Sequence, residues 1–274
     1  MANLQIIDTH AHLDMEQFNQ DRDEVIQRAR AVGVALINTV GIDCDSSQKA
    51  IELAERYECV LASVGIHPQE AHRAKEDDYE KLLTLAKHPR VVAVGETGLD
   101  FYRSRDTTVA QQRILGWHLK IARELNLPVI IHCRQAQEEI KPVIDEWALE
   151  SSVDNNNARG VLHCFSGDEK LANWYLDRGF YISVGAYIGY PSSVALRNTL
   201  SNIPIDRILI ETDCPFLPPQ QYRGKRNEPA YTVFTVNTLA QIKKTTPEQL
   251  ARQTSQNAII LFNLTGKTAW NGTD

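Results

Sequence analysis

The stretch "LQIIDTHAHLD", residues 4–14, begins with the apolar residues of a buried strand and then sets Asp8, His10 and His12 two positions apart. Side chains two apart in a strand share a face, so the two imidazoles project together. A packed sheet has no use for them there. A barrel does, because alternate side chains enter the lumen and active sites gather where the strands end at its mouth.

The same kind of run recurs along the chain: "VALINTV" (34–40), "VLASVGI" (60–66), "VVAVGE" (91–96), "LPVIIHC" (127–133), "GVLHCF" (160–165), "GFYISVG" (179–185) and "RILIETD" (207–213). Between these runs the spacing predicts helices over 21–32, 46–57, 76–87, 107–125, 135–149, 168–178 and 192–202, as where Val25, Ile26, Ala29 and Val32 share one stripe. Unbroken alternation of strand and helix implies parallel strands joined by crossover helices. Eight repeats favour an α/β fold of the closed (β/α)8 TIM-barrel type over an open doubly wound sheet. A basic, proline-containing loop (215–230) follows, then helices over 231–243 and 247–263, the latter opened by Thr246 and Pro247 as cap and first turn. The 274 residues suit one such barrel, so a single domain over 1–274 is expected.

A net charge of −6 excludes wrapping of duplex DNA by a basic face, so any nucleic-acid contact must be local. Five cysteines without CxxC spacing suggest neither a disulfide framework nor a zinc knuckle. No basic-then-apolar leader and no run of 18 apolar residues occurs, so a cytoplasmic, non-membrane protein is expected. A monomer is the default, since no exposed amphipathic helix stands out.

Other polar residues fall at the same ends of the strands: Glu96 in "VAVGETGLD", His132 in "VIIHCR", His163 in "GVLHCFSG", Asp213 in "LIETDCP", and His67 in "VGIHP". With His10 and His12, and leaving His67 aside as a seventh polar group, six ligand-type side chains converge from five strands. Burying them together without a cation would leave costly unpaired groups. One tetrahedral zinc needs fewer ligands, so two divalent ions bridged by Glu96 are expected, with His10, His12 and Asp213 completing one and His132 and His163 the other. Such a pair activates water for hydrolysis, and Asp213 could orient that water or accept its proton. An imidazole-rich set suits zinc, manganese or nickel better than magnesium. Asp8 is expected to accept a hydrogen bond from a ligand imidazole, and Glu211 either does the same or is a structural carboxylate. Cys133 and Cys164 are expected to face the helices, and His72, His88 and His118 to be surface or packing residues.

Arg103, Arg105, Arg134, Arg223, Lys225 and Arg226 fall in rim loops and suggest an anionic substrate. Phe101, Tyr102 and Phe165 lie in the same loops and are candidates to stack bases.

The ordered set "DTHAHLD", "VGIHP", "GETGLDFY", "VIIHCRQA", "VLHCFSG" and "ETDCPFLPP", with "RGKRNEPAYT" and "NAIILFN" behind it, resembles the TatD-type metal-dependent deoxyribonucleases of the amidohydrolase superfamily over essentially the whole chain. The resemblance implies a barrel holding two divalent ions (magnesium, manganese or zinc) and 3′–5′ exonuclease action on single-stranded DNA. It implies His10, His12, Glu96, His132, His163 and Asp213 as the metal set, Glu96 and Asp213 as catalytic, and His67 and Arg226 as contacts to substrate phosphate. Thr97 departs from the pattern, standing where an aliphatic residue is expected. An ester or amide hydrolase on the same scaffold, such as a D-aminoacyl-tRNA deacylase, is the alternative, and a metal- or nucleic-acid-binding protein without turnover is a third reading.

Overall fold

The computed structural model describes residues 5–150 and 158–265. Residue 4 of the first expected strand and both ends of the expected 1–274 domain lie outside them. Among the described residues there are eight strands, β1 (Ile6–Ala11), β2 (Val34–Val40), β3 (Val60–Val64), β4 (Val91–Asp100), β5 (Val129–Arg134), β6 (Gly160–Leu162), β7 (Phe180–Val184) and β8 (Ile208–Ile210). All neighbouring pairs from β1 to β8 are parallel and in sequence order. The ring closes where Ala11 bridges Cys214, with Asp213 N–H donating to His10 O at 2.9 Å and His12 N–H to Cys214 O at 2.8 Å.

The helices are α1 (Arg22–Ala31), α2 (Cys44–Arg56), α3 (Asp78–Ala86), α4 (Thr108–Leu125), α5 (Gln137–Glu150), α6 (Glu169–Leu176), α7 (Val194–Asn202), α8 (Thr232–Lys243) and α9 (Pro247–Leu261). Local chemistry sets several of their starts. Asp43 forms a reciprocal capping box with Ser46 on α2, Thr246 does so with Gln249 on α9 behind Pro247, and Asp168 caps α6 through the N–H of Leu171.

Two apolar clusters divide the core. The larger joins the outer faces of the strands to the helices. The smaller takes Ile7, Leu36, Leu61, Ala93, Ile130, Val161, Tyr181 and Leu209, residues from every strand, together with Ala258, Leu261 and Phe262 at the end of α9. Side chains drawn from every strand of a closed ring meet only inside it, so α9 stops the base of the barrel. A polar layer belongs to the same inward set of positions: Ser63 Oγ donates to Asn38 Oδ1 at 3.0 Å, Asn38 Nδ2 to Thr9 O at 3.1 Å, and Thr9 Oγ1 lies 3.3 Å from Ser183 Oγ.

Two strands break the simple alternation. Ile7 and Thr9 line the lumen, yet His10 and His12 enter the site above them, because the register of β1 against β2 shifts between Asp8 and Ala11. In β4 the register against β5 shifts between Val94 and Thr97, at Gly95 with φ +144°, so Ala93 faces inward below and Glu96 above. Glu96 therefore does not close its strand. β4 runs on to Asp100, and Gly98, at φ +141°, lets β5 come so near that a Cβ would stand 1.9 Å from His132 O. At the other end β6 stops at Leu162 and β8 at Ile210, so His163 and Asp213 sit on the loops just beyond.

Candidate metal centre

The Glu96 carboxylate, 3% exposed, sits in the middle of a group of imidazoles, and its two oxygens face different sets. Oε1 lies 2.6 Å from His163 Nε2, 2.8 Å from His132 Nδ1 and 3.4 Å from His67 Nε2. Oε2 lies 3.3 Å from His10 Nε2 and 3.9 Å from His12 Nε2, and Asp213 Oδ1 approaches the same two nitrogens at 3.9 and 3.4 Å. The His10 and His163 rings stack 4.1 Å apart and help join the two halves. All six residues expected to hold ions thus stand in one cluster, with His132 and His163 nearer Oε1 and His10 and His12 nearer Oε2.

Hydrogen bonds behind the rings set their tautomers. His12 Nδ1 lies 2.8 Å from Val40 O and must carry a proton, which leaves Nε2 as the nitrogen that faces the cluster. His67 is reversed: its Nδ1 accepts the N–H of Gln69 at 3.1 Å, so the neutral ring presents Nε2–H. Although His67, Glu96 and His132 stand close enough to share an ion, this tautomer makes His67 a donor and not a ligand.

The charges follow from burial and proximity. Burial alone would raise the Glu96 pKa, but His163, His67 and His10 hold it well below the carboxylate range. Burial would lower His12 and His163, yet Asp213 raises His12 to about 9, and Glu96 with Glu211 holds His163 well above its usual value. Burial and the neighbouring His163 lower His10. Against burial, which raises it, His12, His10 and His163 keep Asp213 low and therefore ionised. Protons on crowded imidazoles supply the positive charge that the carboxylates require, and divalent cations suit the same donor set. His10, His12 and Glu96 place one ligand atom each within 4.8 Å of one another.

Asp8 is not bonded to a ligand imidazole as expected. Its Oδ1 accepts the N–H of Thr212 at 2.9 Å and of His10 at 3.3 Å, and its Oδ2 the Thr212 hydroxyl at 2.6 Å, so it ties the backbone of β1 to the chain after β8. Burial pushes it up to about 8 despite those donors. Glu211 takes the structural role of the two expected: Oε1 accepts the N–H of Cys164 at 2.7 Å and stands 3.7 Å from His163 Nδ1, near enough for charge to act but too far for a hydrogen bond.

Asp100 was not among the expected residues. It is fully buried, faces His132 Nε2 at 3.3 Å from Oδ2, and accepts from Gln69 Nε2 at 2.9 Å and from the N–H groups of Tyr102 and Arg103 at 3.0 and 2.8 Å. Burial opposes ionisation, but these donors hold its carboxyl below the usual range. Its parity with Glu96, four residues earlier in β4, is the signal that could have found it.

A model of the TatD-related DNase family matches residues 7–263. The chain belongs to that family.

Among TatD-like relatives, an uncharacterised metal-dependent hydrolase of Bacillus subtilis, YabD, is 38% identical over 94% of this chain and 99% of its own length. The 3′–5′ ssDNA/RNA exonuclease TatD of Citrobacter rodentium is 37% identical over 96% of this chain and all of its own. The crystal structure of the TatD homologue YjjV of Escherichia coli superposes with a TM-score of 0.88 at 29% identity, covering 95% of this chain and 98% of that one. The enzyme class is accordingly that of a metal-dependent hydrolase.

The rim differs from the expectation that the TatD resemblance and the loops supported. Phe101 and Phe165 are 7% and 1% exposed and are core residues. Side-chain direction past a strand end is set by the loop, and parity does not reach it. Tyr102 is exposed, with the Arg134 guanidinium 3.9 Å over its ring and Arg103 at 5.4 Å. Arg105 lies over Phe101 and Arg223 over Tyr190. Arg226 is engaged with Asp21 at 2.7 Å and with Gln17 O, and lies over the ring of Phe18. His118 is a buried packing residue on α4. Cys133 and Cys164 pack against the larger apolar cluster. Thr97 is buried in β4 with its hydroxyl unpartnered.

Proposed function

We propose that the protein is a 3′–5′ exonuclease of single-stranded DNA, with RNA as a further substrate, that uses two divalent ions for which Glu96, His10, His12, His132, His163 and Asp213 would be the ligands. The observation that carries this reading is the division of the imidazoles between the two Glu96 oxygens: His132 and His163 at Oε1, His10 and His12 with Asp213 at Oε2. A carboxylate with separate donor sets on its two oxygens suits a bridge.

Ions bound there supply the Lewis acidity that polarises a phosphodiester and acidifies the attacking water. The chain's own residues do the rest. Asp213 is 14% exposed where Glu96 is 3%, so Asp213 is the ionised carboxylate that water can reach, and it accepts the proton of the nucleophile. His67 offers its Nε2–H to a phosphate oxygen. Asp100 fixes the His132 ring from behind. Exposed arginines on the rim give the anionic strand its local field in an acidic protein. The relatives named as 3′–5′ ssDNA/RNA exonucleases support this substrate, and the imidazole-rich donors favour zinc or manganese over magnesium. We propose a cytoplasmic monomer, for which sedimentation at 30.9 kDa is the check of oligomeric state. Among the described residues no helix is long and apolar enough to cross a membrane.

The test is digestion of 3′-labelled and 5′-labelled single-stranded DNA by chelator-treated protein resupplied with Mg²⁺, Mn²⁺ or Zn²⁺, beside His132→Ala. Stepwise loss from the 3′ end, restored by metal and absent in the variant, is expected. No cleavage with any ion would overturn the nuclease reading, and release of the amino acid from an aminoacyl-tRNA would replace it.

A further inference from the structure

Among the described phenylalanine, tyrosine and tryptophan side chains, two are largely exposed: Tyr102 at 52% and Phe216 at 46%. Both stand on the rim of the metal centre. The Tyr102 N–H donates to Asp100 Oδ1 at 3.0 Å, and Asp100 faces His132. The Phe216 N–H donates to Asp213 O at 2.9 Å, its own carbonyl accepts from buried Asn227, and its ring meets His12 edge-on with 6.0 Å between centroids. Tyr102 follows β4 against β5, while Phe216 follows β8 against β1. In a ring ordered β1 to β8 these are opposite sides of the mouth.

Exposing an aromatic ring forgoes the free energy of burying it. The described residues do so at two places, and at each the backbone is pinned to a carboxylate residue at the cluster. Rigid rings on either side of a phosphodiester-cleaving centre suit planar groups carried on either side of a phosphate. The two sites differ in charge. The guanidinium groups of Arg134 and Arg103 lie 3.9 and 5.4 Å from the centroid of the Tyr102 ring, whereas among the described residues no guanidinium lies over Phe216. The arginine-flanked ring suits the continuing strand, whose every residue bears a phosphate, and the bare ring suits the last base.

Resting on the exonuclease reading, we propose that Phe216 stacks on the terminal nucleobase of a single strand and that the Tyr102–Arg134 pair stacks on a base further along it. Recognition is by the π-face and is sequence-tolerant. The enzyme thereby measures that a base is present at the end and not which base it is.

The experiment compares two oligonucleotides of the same length, one ending in a normal 3′ nucleotide and one in a 3′ nucleotide lacking its base, using wild type, Phe216→Ala, Phe216→Leu and Tyr102→Ala, each checked for an unchanged melting temperature. Loss of one stacked base is expected to cost wild type about tenfold in kcat/KM, chiefly through KM. Phe216→Ala is expected to show that loss on the normal end and no further loss on the baseless one. Phe216→Leu, which keeps apolar contact without a π-face, is expected to behave like Phe216→Ala, and Tyr102→Ala to weaken both substrates while remaining sensitive to the terminal base. Equal losses on both substrates in Phe216→Ala, or none on either, would overturn the proposal. A wild-type enzyme that cuts neither oligonucleotide would overturn the exonuclease reading itself, and the proposal with it.

Discussion

Arg226 holds Asp21 with both arms of its guanidinium, Nη1 to Oδ1 and Nη2 to Oδ2, each at 2.7 Å. A phosphate at Arg226 must therefore displace a carboxylate that already fills its fork. If Arg226 serves substrate, Asp21→Asn removes the competitor and tightens binding of single-stranded DNA several-fold at low salt, while Arg226→Ala weakens it. Fluorescence anisotropy on catalytically silent protein distinguishes the cases. Weakening by both substitutions would make the pair a structural tie between the loop before α1 and the loop after β8.

Glu96→Gln keeps the shape of the central side chain and removes the charge between the two donor sets. Metal content measured by atomic emission is expected to fall, and activity to drop by more than about 100-fold, above the range for residues that only support ligands. The circular dichroism spectrum should be unchanged. Unaltered hydrolysis would refute the bridging role.

Asn227 is fully buried, and its Nδ2 donates to Thr212 O at 2.8 Å and Phe216 O at 2.6 Å, on either side of Asp213. Asn227→Ala leaves these carbonyls without their donor and should cost about 2–4 kcal/mol in urea unfolding. Activity per folded molecule should fall as well, because Asp213, held at φ +54°, loses its support. Full activity in the folded fraction would show that the loop keeps its form without the amide.

His118 donates from Nδ1 to Ile114 O at 2.6 Å and accepts the Ile66 N–H at Nε2 at 2.8 Å, and burial pushes its pKa down to about 4. The unfolded chain takes up a proton near pH 6.5 that the folded chain refuses. The contribution is fully present above that value and is lost as pH falls to 4, by roughly 3 kcal/mol. His118→Gln, which can still accept from Ile66, should show a smaller decline in stability between pH 7 and 4.5. Equal declines would remove His118 from the acid sensitivity.

The strands and helices were legible because each run of β-branched residues is bounded by helical spacing, and the error at their ends is mostly a few residues. All six proposed ligands were placed at strand ends; His10, Glu96 and His132 lie on their strands, while His12, His163 and Asp213 lie just past the ends of theirs. The period-two argument for His10 and Glu96 reached the right face for an incomplete reason: it ignored the shifts in β1 and β4 that reverse the parity below them. Asp100 was missed because "GETG" reads as the end of a strand, while its glycines at positive φ keep the strand running. The partner of Arg226 was hidden for another reason. Asp21 lies 205 residues away, and no local pattern reports so distant a carboxylate.

The hydrogen bonds that close the barrel are also those that bring its first and last proposed ligands together: Asp213 N–H to His10 O, and Thr212 to Asp8, 204 residues earlier. A chain still emerging from the ribosome, with β1 to β7 made and the segment after β8 not yet released, therefore lacks both a sealed sheet and a finished cutting centre. The hydrolytic centre is assembled only with completion of the ring, and a partly synthesised chain lacks the residues that bring its first and last proposed ligands together.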